Sequence, residues 1–440
     1  MSYLARYYRR ALFLATACCA ALVVYAAQAL PPALLLGQTP QEFAERRASL
    51  RKAAGEAVVL LVSAPVTSDR VRFRADNDLV YLTGLEPARA ALAILPEGDP
   101  LAQPCVLFIP RGWRGASALD DAKSRTGIAS VLDQQEMWET LRPSLSRAPT
   151  VYIVGPIGER ARYAPSGEIA ARVREMNPNV DLRDAGRLVA RLRILKSAGE
   201  VGNLRAAISA SIRGYRRGAP AARPGNSELA LEGAVIAGFR EGGAAREGFP
   251  CVIGSGPNSI ILHNDPTERK MVKGETVVVD IGAEVNYYTA DLTRTFPVGG
   301  KFTPRAREIY ELVRNAQLAC ERSFQPGKTT WSSLNQTARD FFRQSSLRAA
   351  DTGGEMRTMD RFFSHGVGHW LGMDVHDVGS MSGPIMPGSV ITIEPGLYIE
   401  SESIGVRIED DYLVTETGLE RLSADLPSDV GAIERMVRGR

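Results

Sequence analysis

Histidine is scarce in this chain: four among 440 residues, none before position 263. Cysteine is scarce too, with five residues, and Cys18 and Cys19 both lie in an N-terminal apolar run. The other three, Cys105, Cys251 and Cys320, are odd in number and widely spaced, so they frame no disulfide scaffold. They also lack the C-x-x-C pairing of a structural zinc site and read as small buried hydrophobes. An excess of one charge is missing as well: 53 Lys and Arg stand against 50 Asp and Glu, a net +3. That balance, with no basic run interleaved with aromatics, excludes a nucleic-acid partner. No short-period repeat is present, which excludes a solenoid. What remains, 45% hydrophobic and 23% charged residues, is the composition of a globular protein, and its length favours two domains.

Arg6, Arg9 and Arg10 precede an uncharged apolar run from Ala11 to Ala27, and Ala27-Gln28-Ala29 offers a small-x-small cleavage site. This three-part plan predicts a bacterial export signal over residues 1–29 and a periplasmic mature protein. An uncleaved membrane anchor is the alternative, although the run is just short of a comfortable span. Arg9-Arg10-Ala11-Leu12-Phe13 resembles a twin-arginine export motif. Residues 30–41 read as a linker. A helix is expected over Phe43–Ala54, then short strands at Ala57–Val62, Leu79–Thr83, Ala90–Leu95, Cys105–Ile109 and Thr150–Val154. Helices near Gln134–Leu141 and Gly167–Met176 interrupt them, which makes residues 42–190 an α/β layer domain. Asp184–Tyr215 reads as helical, with a domain boundary near Lys196. Residues 196–430 then alternate strands and helices and carry the chemistry.

The four histidines, His263, His365, His369 and His376, lie among acidic residues and glycines, and so point to one site. Thr276-Val-Val-Val-Asp280 is a β-branched run ending in a carboxylate, and Asp291 follows in Tyr288-Thr-Ala-Asp291-Leu-Thr-Arg. Two strands joined by a turn near Glu284–Asn286 would set Asp280 beside Asp291. Such like charges repel unless a divalent cation neutralises them. Val390-Ile-Thr-Ile-Glu394 and Gly405-Val-Arg407-Ile-Glu409 repeat the theme. Alternation puts Arg407 and Glu409 on one face, with Asp410 and Asp411 turned away or bonded to backbone. Gly366 and Gly368 argue against a helix between His365 and His369 and allow close backbone approach instead. Four carboxylates and an imidazole form a hard donor set. It favours Mn²⁺, or Co²⁺ and Zn²⁺, as a pair about 3.5–4 Å apart that lowers the pKa of a bridging water.

The runs Val278-Val-Asp280-Ile-Gly-Ala, Ala290-Asp291-Leu-Thr-Arg-Thr-Phe-Pro, His365-Gly-Val-Gly-His369-Trp-Leu-Gly, Asp374-Val-His376-Asp, Ile393-Glu394-Pro-Gly-Leu-Tyr and Val406-Arg-Ile-Glu409-Asp resemble the pita-bread metallopeptidases. Within that group the runs resemble Xaa-Pro aminopeptidase most and prolidase next, and Arg72-Phe-Arg-Ala-Asp-Asn-Asp-Leu-Val-Tyr81-Leu-Thr-Gly84 resembles that family's N-terminal domain. The resemblance covers roughly residues 42–425. It implies a two-domain fold: an N-terminal creatinase/aminopeptidase P-like α/β domain, then a pita-bread α+β catalytic domain. It implies two divalent ions held by Asp280, Asp291, His369, Glu394 and Glu409, with Asp291 and Glu409 bridging. Glu394 would take the proton of the attacking water, and His263 and His376 would sit over the scissile bond. Arg407 would orient the carboxylates, while His365 and Tyr398 would line the pocket. Peptides with proline in second position are the implied substrates, and a homodimer or homotetramer the implied assembly. Val80 stands where some bacterial relatives carry a pocket-forming tryptophan. Two other readings are a prolidase, which needs a basic group for the free carboxylate of proline, and a metal-free binding module, which the full ligand set opposes.

Overall fold

The computed structural model describes residues 37–63, 73–113, 115–154 and 165–439. The expected export signal therefore lies outside the described residues. No described helix is long and apolar enough to cross a membrane.

The first domain begins with α1 (Pro40–Ala54), where Thr39 caps the helix and Pro40 takes the first turn, a place that needs no N–H. This helix starts inside the segment expected to be a linker. There follow β1 (Val58–Val62), α2 (Asn77–Thr83), β2 (Ala91–Ile94), β3 (Cys105–Ile109), α3 (Ala118–Thr126), β4 (Ser130–Asp133), α4 (Met137–Leu145), β5 (Thr150–Ile153), α5 (Pro165–Met176) and β6 (Asp181–Asp184). The strands form one mixed sheet in the order β4-β3-β2-β1-β5-β6. Alternation along β1 sends Val58 and Leu60 into one core with Leu141 and Val173. Val59 and Leu61 enter the other, with Phe43 and Leu79.

One expected strand is a helix. Leu79–Thr83 lies in α2, because the Asp76 side chain accepts the N–H groups of Asp78 and Leu79 and Gly84 closes the helix in the left-handed region. The segment is buried nearly all round, so its hydrophobicity carried no period to read. Val80 is buried in this core and is not among the residues lining the candidate site.

The expected helical stretch 184–215 is two helices, α6 (Gly186–Arg193) and α7 (Ala198–Gly218), broken at residues 194–197 where the chain passes between domains. In the second domain α7 packs closely on α8 (Glu228–Glu241). A Cβ on Gly238 would lie 2.7 Å from the Cα of Gly214. The chain continues through β7 (Arg246–Glu247), β8 (Val252–Ser255), β9 (Thr276–Ile281), β10 (Ala283–Val285), β11 (Tyr288–Thr289) and β12 (Leu292–Pro297). β9 is central, antiparallel to both β8 and β12. The expected turn is a two-residue hairpin loop, Asn286-Tyr287, with both residues at positive φ.

Helices α9 (Pro304–Ser323) and α10 (Trp331–Gln344) lead to β13 (Arg348–Ala350) and β14 (Met356–Thr358). β15 (Val390–Ile393), β16 (Gly396–Ile399), β17 (Ile404–Arg407), β18 (Asp410–Val414), β19 (Leu419–Arg421) and α11 (Val430–Val437) complete the domain. β15, β18 and β19 form one sheet, and β16 and β17 pair as a ribbon. Each helix pair pins strands beneath it. The Tyr215 hydroxyl of α7 lies 2.7 Å from the Val279 and Leu292 carbonyls, and Gln317 of α9 donates to Ile393 O at 3.0 Å. Cys105, Cys251 and Cys320 are all free and buried.

Arg294 and Asp410 form a fully buried ion pair at 2.7 Å. Arg294 also donates to the carbonyls of Thr293, Glu409, Leu426 and Pro427. Removing one partner leaves an uncompensated charge in the core. Arg294→Leu is therefore expected to cost about 3–5 kcal/mol in urea unfolding, and adding Asp410→Leu should recover part of that loss. An unchanged midpoint in Arg294→Leu would show that the pair is not a structural anchor.

Candidate metal centre

Five acidic or imidazole side chains converge from strands that the sequence keeps apart. Asp280 is the penultimate residue of β9 and faces Thr293 of β12 across the ladder. Asp291 precedes β12, Glu394 follows β15, and Glu409 sits between β17 and β18, bridged to Thr293 through the backbone. His369 is on an irregular segment that pairs with β15: Thr392 Oγ1 accepts its N–H at 3.1 Å, and its carbonyl accepts the Thr392 N–H at 3.0 Å. Gly368 makes this approach possible, because a Cβ there would stand 2.2 Å from the Thr392 carbonyl.

Asp291, His369 and Glu409 present ligand atoms within 4.8 Å of one another. His369 Nε2 is 3.2 Å from Asp291, 3.5 Å from Glu394 and 3.9 Å from Glu409. Asp280 lines the same cleft of about 270 Å³, with one oxygen on Arg407 at 2.5 Å and the other buried without a hydrogen-bond partner. Asp291 likewise keeps a buried, unpartnered oxygen.

His369 Nδ1 sits 3.0 Å from the Trp370 carbonyl and must donate there. Nε2 is then a bare acceptor aimed at three carboxylates. A divalent ion between them satisfies these facing acceptors, and without one a proton on a carboxyl takes its place. Burial holds the imidazole pKa down to about 4, so the ring is neutral and ready to ligate near pH 7. Burial also lifts the carboxyls. Glu394 rises to about 8, and Asp291 and Glu409 rise well above the usual carboxylate range, each pushed further by its neighbours' charge. Repelling carboxyls, orphaned oxygens and an unprotonated imidazole are a donor set fitted to divalent metal.

The floor of the cleft is buried carboxylate and its mouth is exposed histidine. His263 and His376 are both exposed on the rim, and the His376 ring packs on His369 with centroids 4.3 Å apart. His365 also lines the cleft, and its Nε2 meets the Tyr398 hydroxyl at 2.9 Å. Tyr398 is largely buried behind it and accepts from Arg407 Nη1 at 2.7 Å. An adjoining, more apolar lobe is lined by Phe249, Pro250, Val252 and Val375, and shares His263, Asp280, Asp291 and His376.

Thr293 was not legible as a site residue. Its hydroxyl donates to Glu409 Oε2 at 2.7 Å and accepts from Arg407 Nε at 3.2 Å. The signal was its place two residues after Asp291, on the same strand face. Asp411 accepts the Asp291 backbone N–H at 3.2 Å, in keeping with a backbone-bonded role. Asp410 does not turn to backbone; it binds the side chains of Arg294, Gln317 and Ser423.

Residues 202–416 match metallopeptidase family M24, and residues 43–154 match the aminopeptidase P N-terminal domain. Over 438 residues the chain is 31% identical to the Xaa-Pro aminopeptidase of Escherichia coli (strain K12), covering 90% of this chain and 97% of that protein. The chain belongs to metallopeptidase family M24. It is also 30% identical to the mitochondrial intermediate cleaving peptidase 55 of Arabidopsis thaliana, over 90% of this chain and 83% of that one. Among solved structures, proline aminopeptidase P II from Yersinia pestis is similar at a TM-score of 0.81 and 31% identity, covering 91% of this chain and all of that one (100%). Aminopeptidase P from E. coli with the inhibitor Pro-Leu gives 0.80 and 30%, covering 91% and 98%. The fold is thus the two-domain pita-bread architecture, and the protein is a metal-dependent exopeptidase of this M24 branch rather than a binding module.

The raised carboxyls have a stability signature. A carboxyl whose folded pKa is raised favours the fold at low pH and loses that contribution as pH climbs through the folded value. His365 and His369, lowered to about 4, act in the opposite sense, but their effect is complete once pH exceeds their unfolded value of about 6.5. Above about pH 7 only the carboxyls act. The melting temperature of chelator-stripped protein is therefore expected to fall as pH rises through about 8. A divalent ion at 100 times its Kd should add about 2.7 kcal/mol. A metal-free melting profile flat across that range would contradict this electrostatic picture.

Proposed function

We propose that this peptidase removes the N-terminal residue from peptides with proline in second position, using two divalent ions, Mn²⁺ foremost, held by Asp280, Asp291, His369, Glu394 and Glu409. The observation that carries this reading is the convergence of all five side chains, with His263 and His376 at the rim, in a chain that spans nearly the whole length of a relative named Xaa-Pro aminopeptidase. When bound, the ions supply Lewis acidity and an activated water. Asp291, His369 and Glu409, whose ligand atoms lie within 4.8 Å of one another, would hold the ions from the centre of the cluster.

Glu394 is the general base. It lines the cleft 3.5 Å from His369 Nε2, where it can take the proton of the attacking water and return it. His263 and His376 face the reacting carbonyl from the open side, one orienting it and the other donating to the oxyanion. Arg407 holds Asp280 and Tyr398, and Tyr398 in turn holds His365, so the pocket wall and the ligand shell share one scaffold. The apolar lobe seats a substrate side chain beside the metal ligands. Because a prolyl nitrogen has no N–H, shape rather than hydrogen bonding must select the Xaa-Pro bond.

The prolidase reading has less support. Arg407 is the one arginine or lysine among the described residues lining the two lobes, and it is already engaged by Asp280, Tyr398 and Thr293. A free proline carboxylate finds no spare cation there.

Protein stripped with chelator and reloaded with Mn²⁺ is expected to release the first residue of an Xaa-Pro-Yaa tripeptide and to leave Xaa-Ala-Yaa intact. Cleavage of Xaa-Pro dipeptides alone would replace this reading with the prolidase. Glu394→Ala should lower kcat by about 10²–10⁴-fold with the fold retained. Near-native turnover in a folded Glu394→Ala protein would remove Glu394 from the mechanism.

A further inference from the structure

His376 is exposed, yet it occupies the rim of the site beside His369. An exposed ring gains little position from packing, so its backbone must be fixed by its neighbours. Those neighbours, Asp374 and Asp377, are gripped from outside the catalytic fold. Arg193, the last residue of α6, places Nη2 2.8 Å from Asp374 and 2.6 Å from Asp377, and Nη1 2.8 Å from Asp78 of the first domain. Lys196, in the break between α6 and α7, binds the other oxygen of Asp377 at 2.9 Å. The Arg193, Lys196 and Asp377 side chains are all buried, at 5%, 1% and 1% exposure, so these are not weak surface pairs.

The cluster is built into the surrounding chain. A Cβ on Gly372 would stand 2.1 Å from Asp377 Oδ2 and 3.0 Å from Lys196 Cε, so the clamp needs glycine there. Asn77 of the first domain donates to Asp374 Oδ1 at 2.8 Å and to the Met373 carbonyl at 3.2 Å. The Asp377 N–H donates to the Trp370 carbonyl, the same carbonyl that fixes the His369 tautomer. The interdomain segment thus reaches the two residues that bracket His376.

We propose that Arg193 and Lys196 are positioning residues, which hold His376 over the metal centre by clamping Asp374 and Asp377. The first domain takes part through Asp78 and Asn77, so catalysis depends on domain contact as well as on the catalytic fold. The proposal rests on the proposed place of His376 at the rim of the site, facing the reacting carbonyl. A side chain shifted by about 1 Å can cost up to a hundredfold in rate, with binding little changed.

Kinetics of the full chain loaded with Mn²⁺, on an Xaa-Pro-Yaa peptide, test the proposal through Arg193→Gln and Asp374→Asn, each alone and combined with His376→Ala. Asp374 is half-exposed, so Asp374→Asn buries no orphaned charge and keeps the test open if Arg193→Gln fails to fold. Each single variant is expected to lower kcat by about tenfold while KM moves by less than about threefold. In the His376→Ala background the same changes should alter kcat by less than about twofold, because the group they position is gone. Equal losses in both backgrounds would overturn the proposal and leave the clamp purely structural. Native turnover in His376→Ala itself would instead remove His376 from the chemistry, and the proposal with it.

Discussion

Mutual repulsion among buried carboxyls is the constraint around which this protein is arranged. Asp280, Asp291, Glu394 and Glu409 are drawn into one cleft at an electrostatic cost that water cannot relieve. Fixed positive charge meets only part of that cost. Arg407 takes one oxygen of Asp280 and spends its remaining donors on Thr293, Tyr398 and the Leu262 carbonyl. The rest is left to ions that bind from solvent. The fold therefore carries its own requirement for metal, because the geometry that makes the site reactive also makes it uneasy when stripped.

Holding such a cluster in place demands rigid support. Two helix pairs brace the strands from outside, Tyr215 against β9 and β12 and Gln317 against β15 and β18. Beneath the ligands, Arg294 ties four backbone carbonyls and Asp410 into one node and so fixes the backbone of Glu409. Between domains a second scaffold is at work. Tyr287, at the tip of the β10–β11 hairpin, donates to Glu86 and accepts the Ala75 N–H, and Arg74 pairs with Glu284 at 2.8 Å. The catalytic half is thus stiffened both from its own helices and from the preceding domain.

Much of this was legible in the chain itself. Asp280 and Glu394 end or follow runs of β-branched residues, and alternation put Arg407 and Glu409 on one face, where Thr293 now touches both side chains. The glycines around His369 foretold a backbone contact, which Gly368 makes. Local signals failed where burial was two-sided or partners were distant. Helix α2 is capped by Asp76 and Gly84 but buried on nearly all faces, so its apolar residues looked like a strand. Asp410 meets Arg294 and Gln317 across long stretches of sequence, and no short-range pattern announces such a pair. The sequence suggests a domain boundary near Lys196, but the grip of Arg193 and Lys196 on the His376 loop emerges only in three dimensions.

The three described cysteines carry a consequence of another kind. Burial raises the pKa of each, to about 12 for Cys251 and Cys320, and so keeps them as thiols rather than thiolates. Thiol chemistry runs through the thiolate, so these side chains are shielded from alkylating reagents, peroxide and disulfide exchange while the fold is intact. In protein without residues 1–29, and so without Cys18 and Cys19, a single cysteine introduced on the surface would stand out against that silent background, and a fluorophore or spin label could then report on the domain contact with Cys105, Cys251 and Cys320 left in place.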